Sequence, residues 1–140
     1  MATNDTATPK GRENVPNTVC YIRKKITFAD AGAAGGIPVE WLRKGSIILE
    51  SYVYVTTAFN AATTNVLTVG TNSTAYDNIV TNAQSIPATP GYKLNLTPTG
   101  TAAGPLAADS QMFVKYTQTG TAATTGEAYV VVTFVNDKDR

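Results

Sequence analysis

The sequence predicts an all-β fold: an antiparallel β-sandwich or jelly roll of seven to eight strands with an extended N-terminal arm. Three observations point there. Apolar and polar residues alternate at period two in several short runs, the mark of strands with one buried and one wet face. Turn-forming Pro, Gly, Asn and Thr clusters separate those runs, and no segment of useful length carries a helical period. Two stretches, Ser46–Val69 and Gln111–Val135, also repeat one plan of strand, Thr/Ala/Asn loop and strand. Each loop contains Ala-Ala-Thr-Thr, at Ala61–Thr64 and Ala122–Thr125. Read this way they are two hairpins, one in each half of the sandwich.

The elements follow in order. Met1–Thr18 is rich in Asn, Thr and Pro, with Val15 its only large aliphatic residue after Met1. Such a segment buries too little surface to offset its own ordering entropy, so an arm ordered by a neighbour is expected. Val19–Phe28 is the first strand, with Cys20, Ile22, Ile26 and Phe28 on one face and Lys24 interrupting the stripe. Ala29–Gly36 is a small-residue loop in which the backbone turns freely. Ile37–Leu42 is a short strand with Ile37, Val39 and Trp41 on one face, and Pro38 marks a strand start or an edge.

Arg43-Lys44-Gly45 turns the chain into Ser46–Thr57, the longest strand. Ile47, Leu49, Val53 and Val55 line one of its faces; Ile48, Glu50, Tyr52 and Tyr54 line the other. Val66–Val69 closes that hairpin. Tyr76–Asn82 reads equally as one helical turn begun by Asp77 or as a short edge strand. Pro87, Pro90 and Gly91 make a break, after which Tyr92, Leu94 and Leu96 alternate as far as Pro98. Thr99–Pro105 is a loop. Met112, Val114 and Tyr116 mark the penultimate strand, and Ala128, Val130, Val132 and Phe134 mark the last.

With 140 residues the chain has the length of one domain. The expected division is an arm over 1–18 and a jelly-roll domain over 19–140. Charged residues are only 15% of the chain, and Thr, Ala, Asn and Gly replace them, which suits a pleated surface covered by neighbours. A net charge of +1 gives no field to hold a polyanion, so no nucleic-acid partner is expected. Neither a signal peptide nor an apolar run long enough to span a membrane is visible, so folding in a cytoplasm without a membrane partner is expected. The single cysteine, Cys20, allows no intrachain disulfide and reads as a small buried hydrophobe.

Catalytic chemistry has little to work with. The chain contains no histidine, which removes the commonest general base and the usual Ser-His and Cys-His nucleophile systems. Zinc would need three or four Cys/His ligands. The carboxylates Asp30, Glu40, Glu50, Asp77, Asp109 and Glu127 are spread singly, whereas a glycosidase needs two held at a set separation. Asn136-Asp137-Lys138-Asp139 is too short for a calcium loop and reads as a solvated tail. Gly32–Gly36 lacks the Gly-Lys-Ser/Thr of a phosphate cradle. No enzyme, catalytic residue, metal or cofactor is expected. The one charge cluster is Arg23-Lys24-Lys25 with Arg43-Lys44. If the first two strands lie close, these five form a positive patch able to steer docking on an acidic protein surface.

Several stretches resemble a known group. Gly45–Asn60 (Gly-Ser-Ile-Ile-Leu-Glu-Ser-Tyr-Val-Tyr-Val-Thr-Thr-Ala-Phe-Asn), Val66–Thr71 (Val-Leu-Thr-Val-Gly-Thr), Pro105–Ser110 and Tyr116–Gly126 are similar to small structural proteins of tailed bacteriophages. Within that group the chain most resembles jelly-roll head decoration, or cement, proteins, of the kind seen on a Bordetella phage. The resemblance runs from Ile37 onward. It implies a virion protein, made in the host cytoplasm, that sits on the outer capsid surface and bridges major capsid protein subunits as a homodimer or homotrimer. On that basis Arg23, Lys24, Lys25, Arg43 and Lys44 are candidates for setting register on the capsid protein. Tyr52 and Tyr54 are candidates for contact with a second copy. A tail or head-tail structural component and a carbohydrate-binding module, with Trp41 and the tyrosines stacking on sugars, stay open beside it.

Overall fold

The computed structural model describes residues 18–31 and 36–136. Of the expected arm only Thr18 falls inside this range. Residues 32–35 of the glycine loop and 137–140 of the C-terminal stub lie outside the described residues. Among the described residues seven strands form two antiparallel sheets: β1 (Cys20–Thr27), β2 (Ile37–Leu42), β3 (Ile47–Thr57), β4 (Thr64–Gly70), β5 (Gly91–Leu96), β6 (Ser110–Thr119) and β7 (Glu127–Val135), with one short α-helix, α1 (Asn82–Ser85).

The strand order is β1-β7-β3-β5 in the larger sheet and β2-β6-β4 in the smaller. Between β4 and β5, Val80 makes an isolated antiparallel bridge to Val69 on the outer side of β4. Counted as a reduced strand, that bridge completes eight strands in two four-membered sheets, the arrangement of a double-sheet jelly roll. The segment left open between a helical turn and an edge strand is this bridge. The helix begins after it, capped at Thr81, whose backbone N–H bonds Gln84 Oε1 at 2.9 Å.

The two repeated stretches are not hairpins. β3 lies in the larger sheet and β4 in the smaller, and β6 and β7 are divided likewise. Each stretch is an arch that crosses the core, and the arches pair with each other, β3 with β7 and β4 with β6. Alternation says that each strand has a buried face but not which sheet it joins. Both Ala-Ala-Thr-Thr loops therefore meet at one end of the sandwich. Ala62 N–H donates to Thr121 O at 3.1 Å. Asn60 Oδ1 accepts the N–H groups of Thr124 (2.9 Å) and Thr125 (3.0 Å), while its amide donates to Thr124 Oγ1 at 3.1 Å. These bonds satisfy loop backbone groups that no ladder reaches.

Buried side chains from both sheets make one core, with Ile26, Val53, Val55, Val130 and Val132 facing Leu42, Leu67, Val69, Met112, Val114 and Tyr116. Every residue expected inside β6 and β7 is buried. Elsewhere single-residue bulges reverse the side-chain parity, because one extra residue moves all that follow to the other face. The β2–β6 register shifts between Pro38 and Glu40, so Leu42 is buried and Trp41, expected to share a face with Ile37, points outward at 58% exposure. The β3–β7 register shifts between Ile48 and Glu50, so Ile48 is buried with Ser51, Val53 and Val55 while Ile47 and Leu49 are exposed. Pro38 does sit on an edge strand. Phe28, expected in the buried stripe, leaves β1 in a 3-10 turn (Phe28–Asp30) and is exposed. Asp30 Oδ2 holds that turn by accepting Thr27 N–H at 2.7 Å. Cys20 is half-buried at the core margin rather than enclosed.

Candidate functional site

The outer face of the larger sheet concentrates aromatic residues. Direct cross-strand partners share a face, so the register writes rows across it. Lys25, Tyr129, Tyr54 and Tyr92 form one row over all four strands; Arg23, Val131 and Tyr52 form the next; Tyr21, Thr133 and Glu50 the third. Below them Val135 pairs with Ile47, beside the bulged Leu49. Five of the chain's seven tyrosines therefore stand on one face. Tyr21 is 71% exposed and Tyr92 62%.

Side-chain contacts order this face. Tyr54 stacks on Tyr92 with centroids 4.3 Å apart. The Arg23 guanidinium lies 4.6 Å from the Tyr129 ring centroid, a cation–π contact, with Lys25 Nζ at 5.9 Å. Lys25 Nζ also bridges Glu127 at 2.6 Å. The hydrogen bond from Lys25 holds the Glu127 carboxyl below the usual carboxylate range, with a second from Thr56 Oγ1 at 3.0 Å. The same bond holds the Lys25 ammonium above its ordinary value.

The smaller sheet's outer face is covered by the chain itself. Residues 71–77 fold over it: Tyr76 stacks on Phe113 at 4.6 Å, Lys115 Nζ donates to Thr74 O at 3.0 Å, and Thr68 Oγ1 donates to Ala75 O at 3.1 Å. Asn72 and Asn78 pin this loop. Asn72 Oδ1 accepts Asp77 N–H at 2.9 Å and Asn78 N–H at 3.3 Å, and Asn78 Oδ1 accepts Thr71 N–H at 2.8 Å. Thr74 and Tyr76 take positive φ angles of 70° and 49°, a conformation that costs non-glycine residues and persists only where surroundings enforce it. Among the described residues no comparable loop crosses the tyrosine face.

The residues singled out in the sequence separate into groups. Tyr52 and Tyr54 lie on the tyrosine face, with Arg23 and Lys25 beside them. Lys24 alternates to the inner side of β1, half-buried between Ile22 and Ile26 at the sheet edge. Arg43 and Lys44 lie in the β2–β3 turn, where Lys44 N–H donates to Asp109 Oδ1 at 2.8 Å. That turn precedes Ile47, which pairs with Val135, whereas Arg23 pairs with Val131. Four residues along β7 separate the two levels by about 13 Å. Strands β1 and β2 belong to opposite sheets, so the five cations form two basic spots rather than one patch. Trp41 is on the smaller sheet and forms no common platform with the tyrosines. Sequence reading missed Tyr21, Tyr92 and Tyr129 as members of this face. Their parity in the alternating runs was visible, but the strand order that joins them was not.

The carboxylates have separate tasks. Asp30 holds the 3-10 turn, Glu40 accepts Trp41 N–H at 3.0 Å, Asp77 accepts the Asn72 amide at 2.8 Å, and Asp109 and Glu127 are engaged as above. Among the described residues no three His, Cys, Asp or Glu side chains cluster as a metal site would require, and no helix is long and apolar enough to cross a membrane. A shallow depression of about 240 Å³, lined by Asn65, Asn82, Ala83, Ile86, Pro87 and Ala88, contains no ionisable side chain.

No protein-family model matches the chain, and no curated protein does. Solved structures do share its fold. A chain of the acid-stable capsid of Helicobacter pylori bacteriophage KHP30 superposes with a TM-score of 0.60 at 11% identity, covering 85% of this chain and 88% of that one. A chain in the capsid asymmetric unit of cyanophage Pam1 gives 0.54 at 18%, covering 86% of each. A chain from the capsid of Ralstonia phage GP4 gives 0.54 at 18%, covering 89% and 88%.

Proposed function

We propose that this chain is a structural protein of a bacteriophage virion, non-enzymatic, that decorates the outer capsid surface and cements it by bridging major capsid protein subunits. The observation that carries this reading is the fold match at near-full length in both directions to chains from three phage capsids. Each neighbour is thus a small chain of about this size, rather than a large protein containing such a domain.

The fold suits the task. Two sheets locked at one end by interlinked arches make a stiff body, and one face carries the Tyr, Arg and apolar residues typical of protein contacts. Many identical copies bind one shell, so modest contacts per copy sum to a large stabilisation. In this account the arm over 1–18 orders against capsid protein, Arg43 and Lys44 in the β2–β3 turn set register on it, and the protein acts as a homo-oligomer. Labelling the protein on intact particles tests the placement. Label spread over the head surface is the expected result; label confined to the tail or the head-tail junction would overturn the decoration role.

A further inference from the structure

We infer that the tyrosine face pairs with the same face of a second copy, about a two-fold axis running along β7. This deepens the homo-oligomer part of the proposed function by naming its surface and geometry, and it is tested on purified protein without a capsid. The starting point is the asymmetry between the two outer sheet faces. One is closed by residues 71–77; the other presents Tyr21, Tyr52, Tyr54, Tyr92, Tyr129 and Val131 with no described segment over them. A contiguous exposed face of this kind marks an interaction site.

The arrangement of charge argues for a second copy as the occupant. The cations Arg23 and Lys25 are on β1, on one side of the central β7, and Glu50 is on β3, on the other. An isologous contact brings each residue off the axis against a different residue of an identical surface. Rotation about an axis along β7 lays β1 of one copy over β3 of the other, row upon row. Arg23 then meets Tyr52 of the second copy, Lys25 meets Tyr54, and the Tyr21 hydroxyl meets the Glu50 carboxylate. The one like pair is Glu127, which meets its own copy on the axis with each carboxylate already bridged by Lys25 of its own chain at 2.6 Å. Arg23 already leans on Tyr129 at 4.6 Å; the second copy closes it between two rings, where desolvation strengthens a cation–π contact. Along the axis Tyr129, Val131, Thr133 and Val135 meet their own copies, with the Lys25–Glu127 pairs at one end.

The size of the face sets the strength. Three strands about 4.8 Å apart and nine residues long at about 3.3 Å each make a footprint of roughly 400 Å². Side-chain relief raises the accessible area above that footprint, toward the lower end of the roughly 800 Å² per partner found in stable complexes. A contact of this size is small for a stable complex and is reinforced when neighbouring copies are held on a lattice.

Sedimentation equilibrium of the full chain from about 1 to about 300 μM, at constant salt, tests this inference. The wild type is expected to pass from monomer to dimer across that range. Arg23→Glu is expected to weaken association at least tenfold, with unchanged circular dichroism. Thr117→Glu, on the outer side of the other sheet, should leave association unchanged. Adding Tyr52→Arg to Arg23→Glu is expected to restore it, because the two positions face each other directly across the proposed axis, whereas Val131 stands between them within one chain. A wild type that stays monomeric throughout overturns the inference, as does a double variant no better than Arg23→Glu alone. Neither result would touch head binding, which is measured separately.

Discussion

Substituting Gly126 by alanine should be among the most damaging single-methyl changes in this protein. Gly126 ends the second Ala-Ala-Thr-Thr loop at a φ of +146°, a region essentially reserved for glycine. A Cβ placed there would lie 2.6 Å from Phe59 Cγ. Phe59 is buried and has no room to retreat, since its ring packs against Tyr116 at 4.6 Å. Overpacking of this kind costs about 1–3 kcal/mol and the forced backbone another 1–3 kcal/mol. The expected total is about 4 kcal/mol, a large share of the 5–15 kcal/mol that holds a typical domain together. Urea unfolding reads it: with a slope of about 2 kcal/mol per molar, the midpoint should fall by about 2 M. Gly104→Ala is the control. It also has a positive φ, +83°, but no atom lies within 4 Å of its built Cβ, so only backbone strain remains. If Gly126→Ala shifts the midpoint no more than Gly104→Ala, the packing argument for the arch is wrong.

Three further outcomes follow from other parts of the molecule. Asn72→Ala removes acceptors for the N–H groups of Asp77 and Asn78 and should destabilise by about 1–3 kcal/mol; hydrogen exchange should accelerate first over 71–78, and uniform acceleration would contradict the pinning role. Lys24→Val completes the apolar stripe of Ile22 and Ile26 on an edge strand and removes an inward-pointing charge that discourages strand addition; light scattering should show concentration-dependent aggregation, and unchanged scattering would assign Lys24 no such role. The Lys25–Glu127 bridge has a defined pH window. A lowered carboxyl contributes stability above the ordinary Glu value of 4.5, lost as pH falls through its lowered value; a raised ammonium contributes below 10.5, lost as pH rises through its raised value. Carboxyl-carbon NMR should find Glu127 titrating below 4.5 in the wild type and closer to it in Lys25→Met, while an unchanged midpoint would remove Lys25 as the cause.

What the sequence revealed depended on how far an unbroken period of two carried. In β6 and β7 no bulge interrupts the run, and Met112, Val114, Tyr116, Val130 and Val132 are all inside as alternation requires. In β2 an extra residue, Val39, resets the parity, and in β3 two do, Leu49 and Thr56, which no local pattern announces. The repeat of Ala-Ala-Thr-Thr was visible, but its meaning was not: burial patterning cannot distinguish a hairpin within one sheet from an arch between two. The tyrosine face was half legible. Tyr52 and Tyr54 follow the bulge and keep true parity to Val55, whereas Tyr21, Tyr92 and Tyr129 join them only through the order β1-β7-β3-β5. That order is set by long-range pairing, which also divides the basic cluster that adjacency in sequence had suggested.

The central claim is that the protein binds the outside of a phage head. Co-sedimentation of purified protein with expanded, empty heads lacking it, over a series of salt concentrations, tests this most directly. Saturable binding at a fixed ratio to capsid protein is the predicted result, weaker when residues 1–18 are deleted and declining with salt in proportion to the basic residues engaged. A folded protein that fails to sediment with such heads at any salt concentration would contradict the account.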